Sequence, residues 1–396
     1  MDRHDAPSPP VKGRGATSNP DNRFRSERRE ACDDGWAPAT LAGPDGDADA
    51  DGSTPARPAP RTTVSVQPAR SIIARNDSPD IPFTQSINPY QGCEHGCIYC
   101  YARPSHAFLD LSPGIDFETR LFAKPQAAEL LRAELAKPGY RCDPIALGAN
   151  TDPYQPIERE WKLTRSILEV LAQCEHPFTI VTKSSLVERD IDLIAPMAAR
   201  RMARVYVSIT TLDRDLARRM EPRAAAPQRR LQTVKALADA GIPVGVMTAP
   251  VIPQLNDRDL EAILEAAAAN GARSAGWVLL RLPREVAPLF REWLDAHYPQ
   301  RAAHVMSLIR QMRGGRDYQA AFGARMRGDG AYAALIERRF ELACARLGLN
   351  RGRDHAGLDT TRFRPPAAPA AATRGQLDLF GGEFARDDAR QRSSYR

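Results

Sequence analysis

The stretch NPYQGCEHGCIYCY, residues 88–101, places Cys93, Cys97 and Cys100 within eight residues of one another. Three thiolates held so closely repel each other, and a bound cation is needed to neutralise them. A [4Fe–4S] cube normally takes four thiolate ligands, so a cube with three leaves one iron free to coordinate a substrate or cofactor. Gly92 and Gly96 allow the backbone to wrap closely around an inorganic centre. The spacing therefore predicts an iron–sulfur site.

A zinc site is the alternative interpretation of the same residues. The three cysteines would then be completed by a histidine such as His95 or His106. Structural zinc sites usually pair two short Cys/His clusters separated by a loop, and the sequence has no second cluster. The iron–sulfur site is favoured. A non-enzymatic, zinc-dependent nucleic-acid-binding protein is the alternative function.

The residues around the third cysteine carry a family resemblance. Tyr99 directly precedes Cys100, and Tyr101 follows it. This pattern resembles the signature of the radical S-adenosylmethionine (SAM) superfamily, in particular its spore photoproduct lyase branch, the DNA repair photolyase-like proteins. The resemblance covers roughly residues 81–281. It implies a [4Fe–4S] cluster and SAM as cofactors, with reductive cleavage of SAM to a 5′-deoxyadenosyl radical.

Strand and helix patterns alternate along the middle of the chain. Six short apolar runs have the character of strands, and the segments between them show the helical spacing of apolar residues. The runs are residues 83–87, 144–149, 178–182, 205–210, 244–249 and 277–281. This repetition predicts an α/β fold with parallel winding, and the resemblance implies a partial (β/α)6, TIM-like barrel. Chemistry is expected at the C-terminal ends of the strands, where the cysteine loop begins.

Composition divides the chain into four segments. Residues 1–60 are rich in Pro, Gly, Asp and Arg and are predicted to be a disordered tail. Residues 61–284 are predicted to form the radical SAM core domain, and residues 285–364 a helical extension. Residues 365–396 begin with a Pro/Ala-rich stretch and are predicted to be a second disordered tail.

The overall composition indicates a cytoplasmic protein. Of the 396 residues, 42% are hydrophobic and 26% charged, which suits a globular core with polar tails. We find neither a signal peptide nor the run of ~20 apolar residues that a membrane span needs. The seven cysteines do not form a disulfide framework, and a thiolate-bound cluster needs a reducing compartment. The net charge of +6 suits a nucleic-acid partner, but a genomic base-composition bias explains it equally well.

The resemblance implies which strand ends hold SAM. Thr151 follows strand two and aligns with the serine that the lyase branch uses in this segment. Lys183 ends strand three, at the interval of the family's lysine that contacts the SAM carboxylate. A lysine at the mouth of a buried strand also fits a functional role on the strand-end rule alone.

Strands four and five supply further candidates with two interpretations each. Ser208 and Thr210 would face the ribose or the methionine carboxylate, or they only bond the backbone. Met247 would pack against adenine, or it belongs to the core. Arg219 and Glu221 either reach the cofactor or pair on the surface.

Tyr101 is the candidate catalytic residue. The resemblance implies a part in hydrogen-atom relay, and the alternative is simple packing around the cluster. The hydrogen-donating cysteine of spore photoproduct lyases is replaced here by Ala149. Cys142 is the nearest cysteine, but it precedes strand two and is expected at the opposite end of the barrel. A reaction that needs that cysteine is therefore not expected.

The C-terminal tail contains a short apolar motif, QLDLF, at residues 376–380. The pentapeptide closely matches the motif by which bacterial repair and replication proteins dock on the DNA polymerase sliding clamp. Gln376 would supply hydrogen bonds, while Leu379 and Phe380 would fill an apolar pocket, and Leu377 is included among the partner-binding residues. The motif predicts the clamp as a partner. A DNA or RNA lesion or modified base is predicted as substrate, with a flavodoxin or ferredoxin-type electron donor.

Overall fold

The structure is a computed structural model that describes residues 10–25, 60–351 and 357–366. The strands in these ranges are β1 (Thr63–Val66), β2 (Ile73–Arg75), β3 (Gln85–Ile87), β4 (Tyr90–Gln91), β5 (Arg120–Ala123), β6 (Ile145–Leu147), β7 (Phe178–Thr182), β8 (Ala203–Ser208), β9 (Val244–Val251) and β10 (Ser274–Leu279). The main sheet has the order β10-β9-β8-β7-β6-β3-β2. From β3 to β10 all neighbours are parallel, and β2 adds an antiparallel edge. The α/β fold with a partial (β/α)6 barrel is confirmed.

Amphipathic helices cover the outside of this sheet. The helices in the described ranges are α1 (Asp116–Thr119), α2 (Ala127–Leu135), α3 (Glu158–Trp161), α4 (Leu163–Gln173), α5 (Ile191–Ala199), α6 (Arg214–Met220), α7 (Pro227–Asp239), α8 (Leu260–Ala269), α9 (Val286–His297), α10 (Pro299–Gln311), α11 (Ala324–Arg327) and α12 (Ala331–Leu347). α4, for example, buries Ile167, Leu168 and Leu171 at helical spacing. The core between sheet and helices therefore follows from the apolar periodicity.

A second, three-stranded sheet supports the cysteine loop, residues 92–101. Its order is β1-β5-β4, with β5 parallel to β1 and antiparallel to β4. The two residues of β4 lead directly into the loop. This sheet is not predictable from the sequence, because β1 is mostly exposed and shows no apolar run to distinguish it from a loop.

The helices that follow the barrel pack against two different parts of it. Phe290 and Trp293 of α9 belong to the same apolar cluster as Ile98 of the cysteine loop. Arg339 of α12 instead forms an ion pair with Glu261 of α8 at 2.7 Å. α9 begins at Val286, next to the predicted start of the extension.

The expectation of a disordered tail through residue 60 is wrong for residues 10–25, which we call the N-terminal strap. The amides of Gly15 and Ala16 donate to the Glu118 carboxylate at 2.9 and 2.8 Å, and Arg14 donates to the Glu118 carbonyl at 3.0 Å. A Cβ on Gly15 would collide with the carbonyl oxygen of Gly96 in the cysteine loop. The strap is polar, but distant partners satisfy its backbone groups, and composition alone does not reveal them.

The rest of the predicted tails lies outside the described residues, including the motif at 376–380. Residues 357–366 return to the barrel, where Phe363 packs on Tyr140 and His176. Among the helices that the structure describes, none is long and apolar enough to cross a membrane.

Candidate active site

A cavity of about 590 Å³ opens at the C-terminal ends of the parallel strands. Its lining includes the three clustered cysteines Cys93, Cys97 and Cys100, together with Tyr99, Tyr101, Lys183, Ser208 and Met247. These residues come from the cysteine loop, from the ends of β7 and β8, and from the middle of β9, where Met247 pairs with Ser208. The strand-end placement expected from the sequence therefore brings most of the candidate site residues to one cavity.

The cysteine loop is held by buried polar contacts. Gly92 and Gly96 have φ of +75° and +66°, a region that favours glycine. Arg103 is fully buried and donates to the Cys97 carbonyl at 2.9 Å. The same guanidinium pairs with Glu118, whose other contacts come from the N-terminal strap. Loop, strap and small sheet thus form one packed unit.

The three thiols are chemically suited to bind a metal cluster. Burial raises the pKa of the Cys97 thiol to about 12, although the Lys183 charge acts to lower it. Burial likewise raises the pKa of Cys93 and of Cys100. The backbone N–H of Asp152 points at Cys93, and that of Ala102 at Cys100. These N–H groups favour the thiolate form, and a bound cation would stabilise that form further.

The three clustered cysteines line one cavity without converging on a single point. In the described ranges, no three His, Cys, Asp or Glu side chains converge as one metal ion requires. A cube binds each thiolate through a different iron, so its ligands need not meet at one point. His106, a candidate fourth zinc ligand, contacts the Arg120 carbonyl through Nε2 at 2.9 Å.

Lys183 places a positive charge beside the thiols. Burial acts to lower the pKa of Lys183, but the negative groups Cys97 and Glu221 outweigh it and raise that pKa. Its ammonium lies 5.8 Å from the centre of the Tyr99 ring. Lys183 therefore carries its charge inside the cavity.

Asp152, which sequence analysis did not single out, positions this lysine. Its carboxylate accepts hydrogen bonds from the Lys183 amide at 2.8 Å and the Thr182 hydroxyl at 2.7 Å. His95 Nδ1 lies 3.3 Å from the same carboxylate, but it is not aligned for a hydrogen bond. Burial acts to raise the pKa of Asp152, and these neighbours outweigh it, lowering the pKa to about 2. The polar run Asn150-Thr151-Asp152 after a buried strand was the available signal.

A buried ion pair lies behind the cysteine loop. Arg230 and Glu221 are 1% and 2% exposed and contact each other directly. Glu221 also accepts from the Tyr99 hydroxyl and, at 2.9 Å, from the Thr210 hydroxyl. Arg230 donates to the Ser208 carbonyl at 3.0 Å. Glu221 is thus neither a surface residue nor part of the cavity lining.

Two predicted cofactor residues have their hydroxyls directed away from the cavity. Thr151 donates to the Tyr90 carbonyl at 3.0 Å, and Thr210 to Glu221. Neither belongs to the cavity lining, whereas Ser208 and Met247 do. Arg219 is half-buried and lies against Tyr298, outside the cavity lining. Both threonine hydroxyls are therefore engaged by acceptors inside the protein.

Tyr101 connects the cysteine loop with the end of β6. Its hydroxyl donates to the carbonyl of Ala149, the position at which the family resemblance places a cysteine. The Arg281 guanidinium lies 5.0 Å from the centre of the Tyr101 ring. Among the described residues that line the cavity, the cysteines are Cys93, Cys97 and Cys100. Cys142 precedes β6 and so lies at the other end of the strand, as expected.

Comparison with known proteins shows to which family this chain belongs. The family model described as "Radical SAM superfamily" matches residues 87–267. An uncharacterized protein of Mycobacterium tuberculosis is 39% identical over 233 residues, which are 58% of this chain and 68% of the relative. The chain belongs to the radical SAM superfamily. It is therefore an enzyme, and the alternative of a non-enzymatic zinc protein is not supported.

Further relatives span a wide range of sources. An uncharacterized protein of Methanocaldococcus jannaschii is 28% identical to this radical SAM protein over 215 residues, 54% of the chain and 76% of the relative. The structure of spore photoproduct lyase with a dinucleoside spore photoproduct matches with a TM-score of 0.52 at 16% identity, over 72% of this chain and 80% of that one. A variant of that lyase with bound AdoMet and dinucleoside spore photoproduct has a TM-score of 0.50 at 16% identity, with the same coverage. These structures share the radical SAM fold.

Proposed function

We propose that Cys93, Cys97 and Cys100 hold a [4Fe–4S] cluster, with SAM bound at the open iron. The observation that carries this proposal is the convergence of the buried Cys93 and Cys97, the partly buried Cys100 and the charged Lys183 on one cavity. When bound and reduced, the cluster supplies one electron that splits SAM into methionine and a 5′-deoxyadenosyl radical. A flavodoxin or ferredoxin-type protein supplies that electron, in the reducing cytoplasm that a thiolate-bound cluster requires.

The residues around the cavity have distinct proposed roles. Lys183 binds the SAM carboxylate, Ser208 hydrogen-bonds SAM, and Met247 packs against the adenine. Thr151 and Thr210 act as positioning residues, because their hydroxyls fix the Tyr90 carbonyl and Glu221. Tyr101, whose hydroxyl donates to the Ala149 carbonyl, is proposed to take part in hydrogen-atom relay.

The proposed substrate is a nucleic-acid lesion or modified base. Support comes from the fold shared with spore photoproduct lyase, whose structure contains a dinucleoside spore photoproduct. The net charge of +6 agrees with a nucleic-acid partner. Because Ala149 stands where the lyases place a cysteine, the product radical must take its hydrogen atom from another donor.

Anaerobic incubation with SAM and dithionite tests the proposed chemistry. The reconstituted protein should be brown, absorb near ~400 nm and release 5′-deoxyadenosine. Damaged and undamaged DNA and RNA, added separately, should differ in their effect on that release. A colourless protein with stoichiometric zinc, or one that never forms 5′-deoxyadenosine, would contradict the proposal.

Removing the Lys183 charge should weaken SAM binding without loss of the cluster. A charge-assisted contact to a carboxylate contributes about 1.5–3 kcal/mol, so Lys183→Ala should raise the SAM dissociation constant roughly ten- to a hundredfold. Equilibrium titration of the reconstituted variant measures this. Lys235→Ala, at a side chain 62% exposed, is the matched control and should bind SAM normally. Equal affinities for the two variants would reject the role of Lys183.

The motif at residues 376–380 is proposed to dock on the DNA polymerase sliding clamp. A labelled peptide with this motif should bind purified clamp with micromolar affinity, because few anchors must offset the ordering of the peptide. Fluorescence anisotropy measures the binding. The Leu379→Ala/Phe380→Ala peptide should lose it, since both apolar anchors are gone. If the double variant binds as well as the original peptide, the match is a coincidence.

A further inference from the structure

Arginines gather at the mouth of the active-site cavity, on its open side. Arg281 follows β10, and Arg327 ends α11; both line the cavity. Arg325 of α11 instead bridges to Asp80 on the segment before β3, with Nε donating to the carboxylate at 2.7 Å. This ion pair holds α11 next to the opening.

Unlike Arg325, the two cavity arginines have no carboxylate partner among the described residues within ion-pair distance. Arg281 contacts the Met326 sulfur at 3.8 Å, and its buried Nε has no hydrogen-bond acceptor. The Arg327 guanidinium lies 4.5 Å from the centre of the Trp277 ring. Both guanidinium groups therefore retain donors for a ligand that is not part of the protein.

A third cation increases the positive potential at this place. Arg313 is 1% exposed and donates to the Leu280 carbonyl at 2.7 Å. Burial and the charge of Arg281 lower the pKa of Arg313 to about 10. Placing these cations together without acidic partners is unfavourable, and an anion at the mouth would offset that cost.

We infer that Arg281 and Arg327 bind phosphate groups of a nucleic-acid strand whose target nucleotide enters the cavity. This inference rests on the proposed function and names the contacts that would hold the substrate. Guanidinium groups bind phosphate through paired N–H donors. Tyr101 and Phe83 in the lining offer aromatic faces for a base. Because this cavity also has to hold the cluster and SAM, an unpaired nucleotide and not a duplex would enter it.

The test measures binding of fluorescein-labelled single-stranded DNA, its RNA counterpart and the DNA duplex to the reconstituted protein with SAM. Anisotropy is recorded over a series of salt concentrations. Arg281→Gln/Arg327→Gln should weaken single-strand binding tenfold or more. The slope of the logarithm of the binding constant against the logarithm of the salt concentration should become shallower by about 1.4, because each of the two lost phosphate contacts contributes about 0.7. Arg281→Lys/Arg327→Lys keeps both charges and should retain most of the slope. Arg338→Gln/Arg346→Gln, at exposed side chains of α12, is the charge-matched control.

The outcomes separate this inference from the function on which it rests. An unchanged slope in the Gln double variant overturns the phosphate contacts and leaves a nucleic-acid substrate in place. If the variant loses its iron or its thermal midpoint falls sharply, the arginines maintain the fold, and the inference also fails. A wild-type protein that forms 5′-deoxyadenosine but binds no strand overturns the inference while the SAM chemistry stands. The DNA and RNA arms identify which strand supplies the phosphates.

Discussion

Cys97→Ala should remove the iron from this radical SAM protein almost completely. Two remaining thiolates cannot hold a cube, so the iron content should fall from roughly four atoms per chain to near zero. The absorbance near ~400 nm and the formation of 5′-deoxyadenosine should disappear with it. Cys93→Ala and Cys100→Ala should behave alike, because all three cysteines line the same cavity. Iron analysis after anaerobic reconstitution measures the effect.

Cys142→Ala is the control for this series. Cys142 lies before β6, at the end of the strand away from the cavity, so its removal should leave iron content unchanged. Loss of iron in Cys142→Ala would show that the ligands are wrongly assigned. Retention of a full cluster in any of the three cavity variants would lead to the same conclusion.

Glu221→Ala should destabilise the protein by about 3–5 kcal/mol, because it leaves the buried Arg230 charge without its partner. Glu221 also accepts hydrogen bonds from Tyr99 and Thr210, so two hydroxyls lose their acceptor. The urea midpoint of the anaerobically purified variant should fall accordingly. Glu221→Leu/Arg230→Met removes both charges and should recover much of the loss, since an apolar pair of similar volume avoids the uncompensated charge.

Asp239→Ala provides the comparison with an exposed pair. Asp239 and Lys235 form an ion pair at 3.0 Å with both side chains 62% exposed. Solvent screens such a pair, and its loss should cost no more than about 1 kcal/mol. Similar urea midpoints for Glu221→Ala and Asp239→Ala would mean that the buried pair contributes no more to the free energy of unfolding than the exposed pair.

The barrel could be predicted from the sequence because its signals are local. β7 was predicted with its observed bounds, Phe178–Thr182. A strand of a parallel sheet is covered on both faces, so nearly all of its residues are apolar or β-branched and the strand stands out in the sequence. The cysteine spacing likewise predicted which loop would line the cavity. Both kinds of signal lie within a few residues of sequence.

The parts that escaped prediction depend on distant partners. Glu118 is an ordinary acidic residue in sequence, yet it accepts amides of the strap about a hundred positions away, at a separation of 103 residues for Gly15. Thr151 aligned with a cofactor residue, but the orientation of its hydroxyl was decided by the nearby Tyr90 carbonyl. An alignment that rests on the number of residues between two motifs can place a residue at a strand end. It does not fix the direction of a hydroxyl, which any close acceptor can capture.

The N-terminal strap has a consequence for the order in which the protein assembles. Its contacts with Gly96 and Glu118 cannot form until the whole cysteine loop has been synthesised, and its ion pair with Glu285 forms later still. At 5–20 residues per second, that delay is about 5–20 s on the ribosome. A segment made before the barrel therefore docks only on a completed loop. Resistance of the strap to proteases would report whether that loop has closed.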